Sequence, residues 1–380
     1  MRLGAGTSSA GARGAGARLL CISGIGPKRP ACFLVEAEGR RIVLDLGVGP
    51  DPGRRPDVSG VGPVDAVVLS HAHVDHAGGM DLLAALGDPP VHATALVLDL
   101  VKPYPGQQSR GRPSSAVLSP TGEAEIAGIP VRTGRAGHAP GGVWIHLGVG
   151  GGLLYMGDHS VESDLYAFDD PPPAATLVLD ASYGTYDEPQ ARCRAEIEPF
   201  LAAGALFPVP AGGRGPEMAA WAAGLGLGVA IDAAVEDMAR RLAGPESAYL
   251  RPAAAQALAR LHAGLTAPGD PGRPTFAAKP NADGGAAAAL ARDWAARPGR
   301  PPILFTGHVA EGSPAAELMA CGRAEFRRWN VHPRLSDNVA LVRAVGARRV
   351  IPAFGATVHG PAWAEAFAPA EVTFGPEVLL

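Results

Sequence analysis

Residues 67–79 read VVLSHAHVDHAGG, and they decide how the rest of the chain is interpreted. Three histidines and an aspartate follow an apolar run directly: His71, His73, Asp75 and His76. Such a run predicts a buried strand that ends at His71. Imidazole together with carboxylate suits zinc and related divalent ions. Chance spacing in a surface loop is the alternative, but four ligand-type residues so placed rarely serve packing, and we expect a metal site.

A dinuclear site needs further ligands from elsewhere in the chain. His138 lies between glycines in the stretch AGHAPGG, and Asp158 follows a hydrophobic strand in YMGDHS, where it could bridge two metals. Alone, each would be read as an ordinary loop residue. Together with the first motif, they become candidate ligands.

Composition limits the classes of protein that fit this chain. A length of 380 residues indicates two domains, or one domain with an insertion. The net charge of −4 lacks the basic excess typical of nucleic-acid binders, so contacts with phosphate would come from a local site such as bound metal. The four cysteines form no CxxC pair, which argues against a disulfide framework and favours a reducing, cytoplasmic setting.

Composition also bears on the N-terminal residues and on membrane association. Residues 1–17 carry arginines and no acids, which is compatible with a transit peptide, but their Gly/Ala content favours a disordered tail. No run approaches the ~18 apolar residues of a membrane span. We therefore expect no membrane association.

The predicted pattern of strands and helices changes twice along the chain. From residue 18, short apolar runs separated by turns predict successive strands, several ending in His or Asp. From about residue 187, helix and strand patterns alternate until about residue 325, and a strand and helices follow. No internal repeat is present.

These motifs resemble the metallo-β-lactamase fold. The matching stretches are HAHVDH at 71–76, AGH at 136–138, GD at 157–158 and VLDLG at 43–47, which contains Asp45. The resemblance implies an α/β protein with an αββα sandwich. It also implies two zinc ions, with manganese possible. His71, His73 and His138 would hold one ion, Asp75 and His76 would help to hold the second, and Asp158 would bridge them.

Further stretches are similar to the β-CASP branch, the nucleases that include ribonuclease J and the polyadenylation-cleavage endonuclease. They are LVLDASYGTYD at 177–187, FPVPAGGRGPEM at 207–218, KPNADGG at 279–285 and ILFTGHVAEGSPAAEL at 303–318. In that branch an α/β domain is inserted within the lactamase-like domain. We therefore expect the lactamase-like domain at 18–186 and 326–380, with the β-CASP domain at 187–325.

The branch also implies two residues near the metals. Asp180 and His332 would pair, the histidine handling a phosphate oxygen or the leaving group and the acid orienting it. The alternative is a turn acid and a surface histidine. With Asp75, they are the candidate catalytic residues. Arg214 either contacts substrate phosphate near a helix N-terminus or forms an ion pair with an acid such as Glu217.

One position departs from the family. Its last strand usually ends in His-Gly, and an alignment from His332 places Phe354 and Gly355 there. Five residues later, His359 and Gly360 offer the missing pair. Either the loop lets His359 reach the second metal, which we favour because dinuclear hydrolysis works best with a fully held pair, or that metal lacks one imidazole.

Five other histidines match no ligand motif. His159 lines the substrate channel, has a supporting role or is simply exposed, and the remaining four are expected to be surface or packing residues: His92, His146, His262 and His308.

The expected function is that of a zinc-dependent hydrolase that cleaves phosphodiester bonds of RNA through a metal-bound hydroxide. Single-stranded DNA is the other candidate substrate, and exonuclease and endonuclease action both stay open, as does homo-oligomer formation. Two alternatives come from other classes. One is a hydrolase of a small ester or thioester, because the lactamase fold hosts many of these. The other is a metal-poor binding protein, for which Phe354 is the support.

Overall fold

The structure is a computed structural model that describes residues 16–101, 114–266, 268–299 and 301–380. All but the last two residues of the predicted tail at 1–17 lie outside this part of the chain.

The described strands and helices are numbered here in chain order. The strands are β1 Arg18–Ser23, β2 Cys32–Ala37, β3 Arg40–Leu44, β4 Ala66–Val68, β5 Val91–Thr94, β6 Ser115–Leu118, β7 Gly122–Ile126, β8 Ile129–Arg135, β9 Val143–Leu147, β10 Leu153–Tyr155, β11 Thr176–Asp180, β12 Leu206–Val209, β13 Val229–Ile231, β14 Leu265–Thr266, β15 Thr275–Ala278, β16 Leu304–Phe305, β17 Glu325–Phe326, β18 Arg349–Ala353, β19 Glu371–Val372 and β20 Glu377–Leu379. The α-helices are α1 Val74–Ala77, α2 Ala95–Leu100, α3 Gln190–Ala202, α4 Arg214–Gly224, α5 Ala233–Ala243, α6 Ala254–Ala263, α7 Gly285–Ala296, α8 Pro314–Ala320, α9 Leu335–Val345 and α10 Gly360–Ala366. Short 3-10 turns cover Met80–Leu86, Ser247–Tyr249 and Thr357–His359.

Two mixed sheets form the first part of the fold. Among the described residues, the first has seven strands in the order β20-β1-β2-β3-β4-β5-β6, and the second has seven in the order β19-β18-β11-β10-β9-β8-β7. Strands β3 to β6 are parallel, as are β10, β11, β18 and β19. The central parallel strands β4, β10 and β11 are buried along their whole length, as in the AVV of β4, because both faces of each sheet are covered there.

The two sheets pack face to face. Their inner faces share one core, to which Phe33 and Ile42 come from the first sheet and Ile145 and Ile351 from the second. The 3-10 turn at Met80–Leu86 and α2 cover the outer face of the first sheet. Helices α9 and α10 cover the outer face of the second. The order of layers is therefore helix, sheet, sheet, helix, and the predicted αββα fold is confirmed.

A separate parallel sheet lies between β11 and the return of the chain to the second sheet at β18. Its four described strands have the order β12-β15-β13-β14. Helices α4, α5 and α6 build one apolar cluster around it, which includes Phe207 and Phe276. Helix α7 and strand β16 build another around Trp294. This arrangement lies where the insertion is expected, although the domain limits at residues 187 and 325 stay a prediction.

In the part of the chain that the structure describes, no helix has both the length and the apolar character needed to cross a membrane.

Candidate metal centre

The candidate ligands come together at the carboxyl ends of strands. Asp45 follows β3, His71 lies just after β4, and Asp158 follows β10. His138 follows β8, and Asp180 is the last residue of β11. Neighbouring parallel strands end at the same edge of a sheet, so residues far apart in sequence meet there. The two sheets together bring these side chains to one cleft.

Asp45 orients the loop 70–76 after β4, which carries four of the candidate ligands. It is fully buried, and its carboxylate accepts hydrogen bonds from the Ser70 backbone N–H at 2.6 Å, the Ser70 hydroxyl at 2.6 Å and the Tyr155 hydroxyl at 2.5 Å. It also accepts one from His76 Nδ1 at 2.6 Å. A carboxylate bound to one ring nitrogen fixes the orientation of the imidazole and leaves Nε2 free for a ligand. Sequence reasoning named Asp45 but missed Ser70 and Tyr155, because nothing in a motif marks such supporting contacts.

The first donor group consists of His71, His73, His138 and Asp158, with ligand atoms that all lie within 4.8 Å of one another. His138 Nδ1 donates to the carbonyl of Val331 at 2.6 Å, so its Nε2 carries the lone pair. That Nε2 lies 3.0 Å from His73 Nδ1 and 3.5 Å from an Asp158 oxygen. His71 Nε2 is buried without any hydrogen-bond partner. Lone pairs that converge on one point and a buried nitrogen without a partner fit a divalent cation.

The second donor group consists of Asp75, His76 and Asp158. His76 Nε2 lies 3.2 Å from Asp158 Oδ1. Asp158 thus belongs to both groups, and its role as a bridge between two metals stays a prediction. A third group joins Asp158 to Asp180 and His332.

Phe354 forms part of the wall of the second group. Its ring packs edge-on against the His76 imidazole, with 5.0 Å between ring centroids. Its φ of 64° is rare for a bulky side chain, so surrounding contacts must hold it there. The Phe354 N–H donates to the Gly24 carbonyl at 2.7 Å, which is one such contact. A phenyl ring supplies no ligand atom at this position.

His359 lies elsewhere. It is half-buried in the 3-10 turn before α10, its ring lies 5.6 Å from that of Trp363, and a Cβ added to Gly184 would overlap with its imidazole. None of the described donor groups includes it. The structure therefore does not support the prediction that His359 completes the second group, because the turn after β18 directs it toward Trp363 instead.

Asp180 and His332 form the expected pair. His332 Nδ1 donates to Asp180 Oδ2 at 2.8 Å and lies 3.7 Å from Asp158 Oδ2. Asp180 is fully buried, and its other oxygen accepts from the Ser182 N–H at 3.0 Å. Asn338 on α9 donates to the Asp180 carbonyl at 2.9 Å. Residues 329–338, which follow β17, thus contribute to the same cleft as the first strands.

Tyr183 anchors the segment 329–332, which carries His332. Its hydroxyl accepts from the Val331 N–H at 3.0 Å and donates to the Trp329 carbonyl at 3.2 Å. Its ring packs edge-on against His332, with 5.1 Å between ring centroids, and the guanidinium of Arg328 lies 4.5 Å from the ring centroid. Sequence reasoning missed Tyr183 and Arg328, although an aromatic residue three positions after Asp180 was visible.

The charges of the site are set by burial and by neighbouring groups. Burial lowers the pKa of His71 and of His73 well below the ordinary value, so these rings are neutral. Burial opposes ionisation of Asp158, but His76 and His332 hold the pKa of its carboxyl well below the ordinary value. Burial also opposes charge on His76, but Asp158 and Asp45 raise its pKa well above the ordinary value. Neutral imidazoles beside a charged carboxylate are the forms that bind metal, and binding at His76 must displace a proton.

The remaining histidines lie outside the donor groups. His159 is fully buried beside Phe168, and burial lowers its pKa to about 4. His308 pairs with Asp51 at 3.0 Å. His262 donates to the carbonyl of Leu258 within α6. His308 and His262 thus have partners within the protein, whereas both ring nitrogens of His159 are buried without a hydrogen-bond partner in the described residues.

Comparisons with known proteins agree with this geometry. Residues 25–199 match the family described as the metallo-beta-lactamase superfamily. Ribonuclease TTHA0252 of Thermus thermophilus is 34% identical over 194 residues, which cover 45% of this chain and 44% of that protein. An RNase J-like protein of Methanocaldococcus jannaschii is 31% identical over 41% of this chain and 40% of its own length. Transcription termination factor FttA of Methanothermobacter thermautotrophicus is 29% identical over 48% of this chain and 34% of its own length.

The chain spans less than half the length of these curated relatives. A crystal structure of a protein of unknown function from Enterococcus faecalis V583 matches 96% of this chain and all of that one, with a TM-score of 0.60 and 13% identity. At that identity the likeness concerns the fold alone. The family match and the buried cluster of histidines and aspartates together indicate a site for divalent metal.

By its matched residues 25–199, its layer order and its strand-end donor groups, this chain contains a metallo-β-lactamase superfamily domain, and its relatives are consistent with a β-CASP nuclease.

Proposed function

We propose that this protein is a metal-dependent nuclease that hydrolyses phosphodiester bonds of RNA. One observation carries the proposal: Asp158 is shared by both metal donor groups and by the group that contains Asp180 and His332. A carboxylate in that position joins a two-cation site to a histidine held by its own acid. This combination suits the hydrolysis of a charged ester better than simple metal storage.

Two divalent ions, zinc or alternatively manganese, are proposed for the two donor groups. The residues that would hold them are His71, His73, His138 and Asp158 in one group and Asp75, His76 and Asp158 in the other. When bound, such ions lower the pKa of water and neutralise charge on a phosphodiester. The protein's own part is to hold these donors rigidly, and Asp45 does so for His76 through the 2.6 Å bond to Nδ1.

His332 is the proposed proton-handling residue. Asp180 accepts the hydrogen bond from its Nδ1, so Nε2 is the nitrogen left to face a substrate oxygen. A carboxylate in this position selects the tautomer of the imidazole. His332 is therefore proposed to exchange a proton with a departing oxygen through Nε2, while Asp180 keeps the ring oriented.

RNA is the proposed substrate rather than DNA. The names of two relatives, a ribonuclease and an RNase J-like protein, support this choice. Single-stranded DNA is the competing substrate, and the experiment below includes it. A reducing, cytoplasmic location is proposed as well, supported by the four cysteines, all of which are free in the described part of the chain.

The test is a time course on 5′-labelled single-stranded RNA and DNA of one sequence, with added zinc or manganese. Wild type is compared with Asp75→Ala and with Glu196→Ala, whose carboxylate is exposed on α3 and pairs with Arg192. We expect cleavage of RNA by wild type and by Glu196→Ala and its loss in Asp75→Ala. The fragment ladder then separates exonuclease from endonuclease action. A wild-type protein that binds metal and cuts neither strand contradicts the proposal.

A further inference from the structure

Arg214 carries a buried charge that no acid of this protein neutralises. It is the first residue of α4, and only 9% of its surface is exposed. Every aspartate and glutamate of the chain lies in the described ranges, and none is within salt-bridge distance of this guanidinium. The expected alternative, an ion pair with Glu217, is not formed. Glu217 instead accepts from the Ser163 hydroxyl at 2.7 Å and the Asp164 N–H at 3.0 Å.

The guanidinium is held in place by neutral groups. Its Nε donates to the Thr306 hydroxyl oxygen at 3.1 Å, and the Thr306 hydroxyl in turn points to the sulfur of Met218. A Cβ added to Gly307 would overlap with the guanidinium, so the absence of a side chain there makes room for it. The two terminal nitrogens form no hydrogen bond within the described residues. They are the paired donors that bind phosphate or carboxylate in a bidentate manner.

The segment before Arg214 lies directly over the first metal donor group. A Cβ added to Gly213 would be 3.5 Å from the His138 carbonyl oxygen and 3.8 Å from His73 Nε2. The Gly213 φ of 75° favours glycine at this close approach, and Tyr166 fixes the loop by donating to the Gly213 carbonyl at 2.9 Å. Arg214 therefore directly follows the residue that covers the first metal donor group. Burial lowers the pKa of Arg214 to about 10, which leaves it charged at neutral pH.

A buried charge without a partner destabilises a fold unless a ligand compensates for it. We propose that Arg214 binds a phosphate of the nucleic-acid strand beside the bond that is cleaved, as a bidentate anion site separate from the metal ligands. The inference rests on the proposed function for the identity of the anion. Arg214 is also the first residue of α4, so the positive end of that helix dipole lies beside it. Arg214 is thus proposed as a substrate-positioning residue whose charge is retained for binding and not for folding.

The test compares wild type with Arg214→Met, Arg214→Lys and Arg240→Met, all loaded with metal. Arg240 is an exposed arginine on α5 that pairs with Glu236, and its variant removes one positive charge at a distance. Two quantities are measured for each protein. One is the melting temperature with and without inorganic phosphate. The other is the dissociation constant of a fluorescein-labelled 12-nucleotide RNA at several salt concentrations, with calcium in place of the catalytic metal if cleavage interferes.

For Arg214→Met we expect RNA binding to weaken by about 10- to 100-fold and the salt slope to fall by about one phosphate contact. We also expect the free protein to melt at the same or a higher temperature, and the stabilisation by phosphate to decrease. Arg214→Lys should restore only part of the affinity, because a single ammonium replaces the paired N–H donors of the guanidinium. Arg240→Met should resemble wild type.

Two results would overturn the inference. One is a lower melting temperature of Arg214→Met with a proportional loss of metal, which would assign the arginine a structural role. The other is unchanged binding of RNA and phosphate. Failure of the nuclease proposal gives a different result. If wild type cleaves no strand but is stabilised by phosphate, and Arg214→Met abolishes this stabilisation, the anion site is supported and only the proposed reaction is rejected.

Discussion

The ring of Phe354 lies edge-on against the imidazole of His76, with 5.0 Å between their centroids, where a fourth donor of the second metal group would be expected. The first group has four protein donors and the second has three, and Asp158 is counted in both. Fewer donors and an apolar wall weaken a metal site, because water must supply the missing ligands. The two ions should therefore differ in affinity.

Replacing this ring with an imidazole should strengthen the weaker site. Phe354→His is predicted to raise affinity for the second ion at least tenfold, since histidine also tolerates the positive φ at this position better than most residues. Isothermal titration with zinc, together with metal content after gel filtration, measures the change. Phe354→Leu removes the ring without adding a donor and should leave the second affinity low. Equal second-site affinity in all three proteins would show that Phe354 does not limit this site.

The Asp45 carboxylate should matter for metal binding although it belongs to neither donor group itself. Asp45→Asn replaces an acceptor of four hydrogen bonds with a group that can accept only at one atom. We expect a 10- to 100-fold loss of metal affinity, because His76 loses the group that orients it. Competition with a zinc-binding dye measures this loss. Asp65→Asn, at an exposed ion pair with Arg40, serves as the control. Metal affinity at the wild-type level would show that the loop orients His76 unaided.

Tyr183 should act through His332. Tyr183→Phe keeps the ring against His332 but removes the hydroxyl that binds the Val331 N–H and the Trp329 carbonyl. The segment that carries His332 then loses its anchor, so we expect kcat on RNA to fall about tenfold with little change in KM. Metal content should stay the same. A purely structural role would instead lower the melting temperature and the metal content together, and Tyr186→Phe provides the comparison.

Acid stability should depend on Asp169, which ties β8 to the loop that leads into β11. It accepts two side-chain hydrogen bonds from Arg135, at 2.8 and 2.6 Å, and one from the Arg135 N–H at 2.8 Å. Burial opposes ionisation of Asp169, but these bonds hold its pKa below the ordinary value. Because the folded-state pKa is the lower one, the stabilisation is complete above the unfolded value of about 4 and is lost as the pH falls through the folded value.

Asp169→Asn should therefore lower the free energy of unfolding at pH 7 by about 1 to 3 kcal/mol, and the difference from wild type should shrink below about pH 4. Urea midpoints recorded from pH 7 to pH 3 test this. The control is Glu123→Gln, which breaks an exposed pair with Arg132 on the same hairpin. A difference that stays constant down to pH 3 would contradict the assignment of the effect to this carboxylate.

Much of this protein could be predicted from local patterns. The apolar runs that end in His71, Asp158 and Asp180 identified buried strands, because a strand covered on both faces must be apolar and buried polar groups at its end need partners of their own. The ligand types at those ends identified a metal site, and the αββα fold followed from the resemblance of these motifs to a known family. A strand end and its side-chain chemistry are local properties, which sequence carries directly.

Tertiary structure decided what depends on contacts between distant segments. The turn after β18 directs His359 toward Trp363 and leaves Phe354 against His76, and no spacing rule could choose between these positions. The same holds for Arg214. A substrate phosphate and Glu217 were equally compatible with the sequence as its partner, but in the folded chain Glu217 accepts its hydrogen bond from Ser163. The ligand types were therefore determined by the sequence alone. Which ligands meet, and which charge is left without a partner, was determined by packing, because these depend on distances that only the folded chain sets.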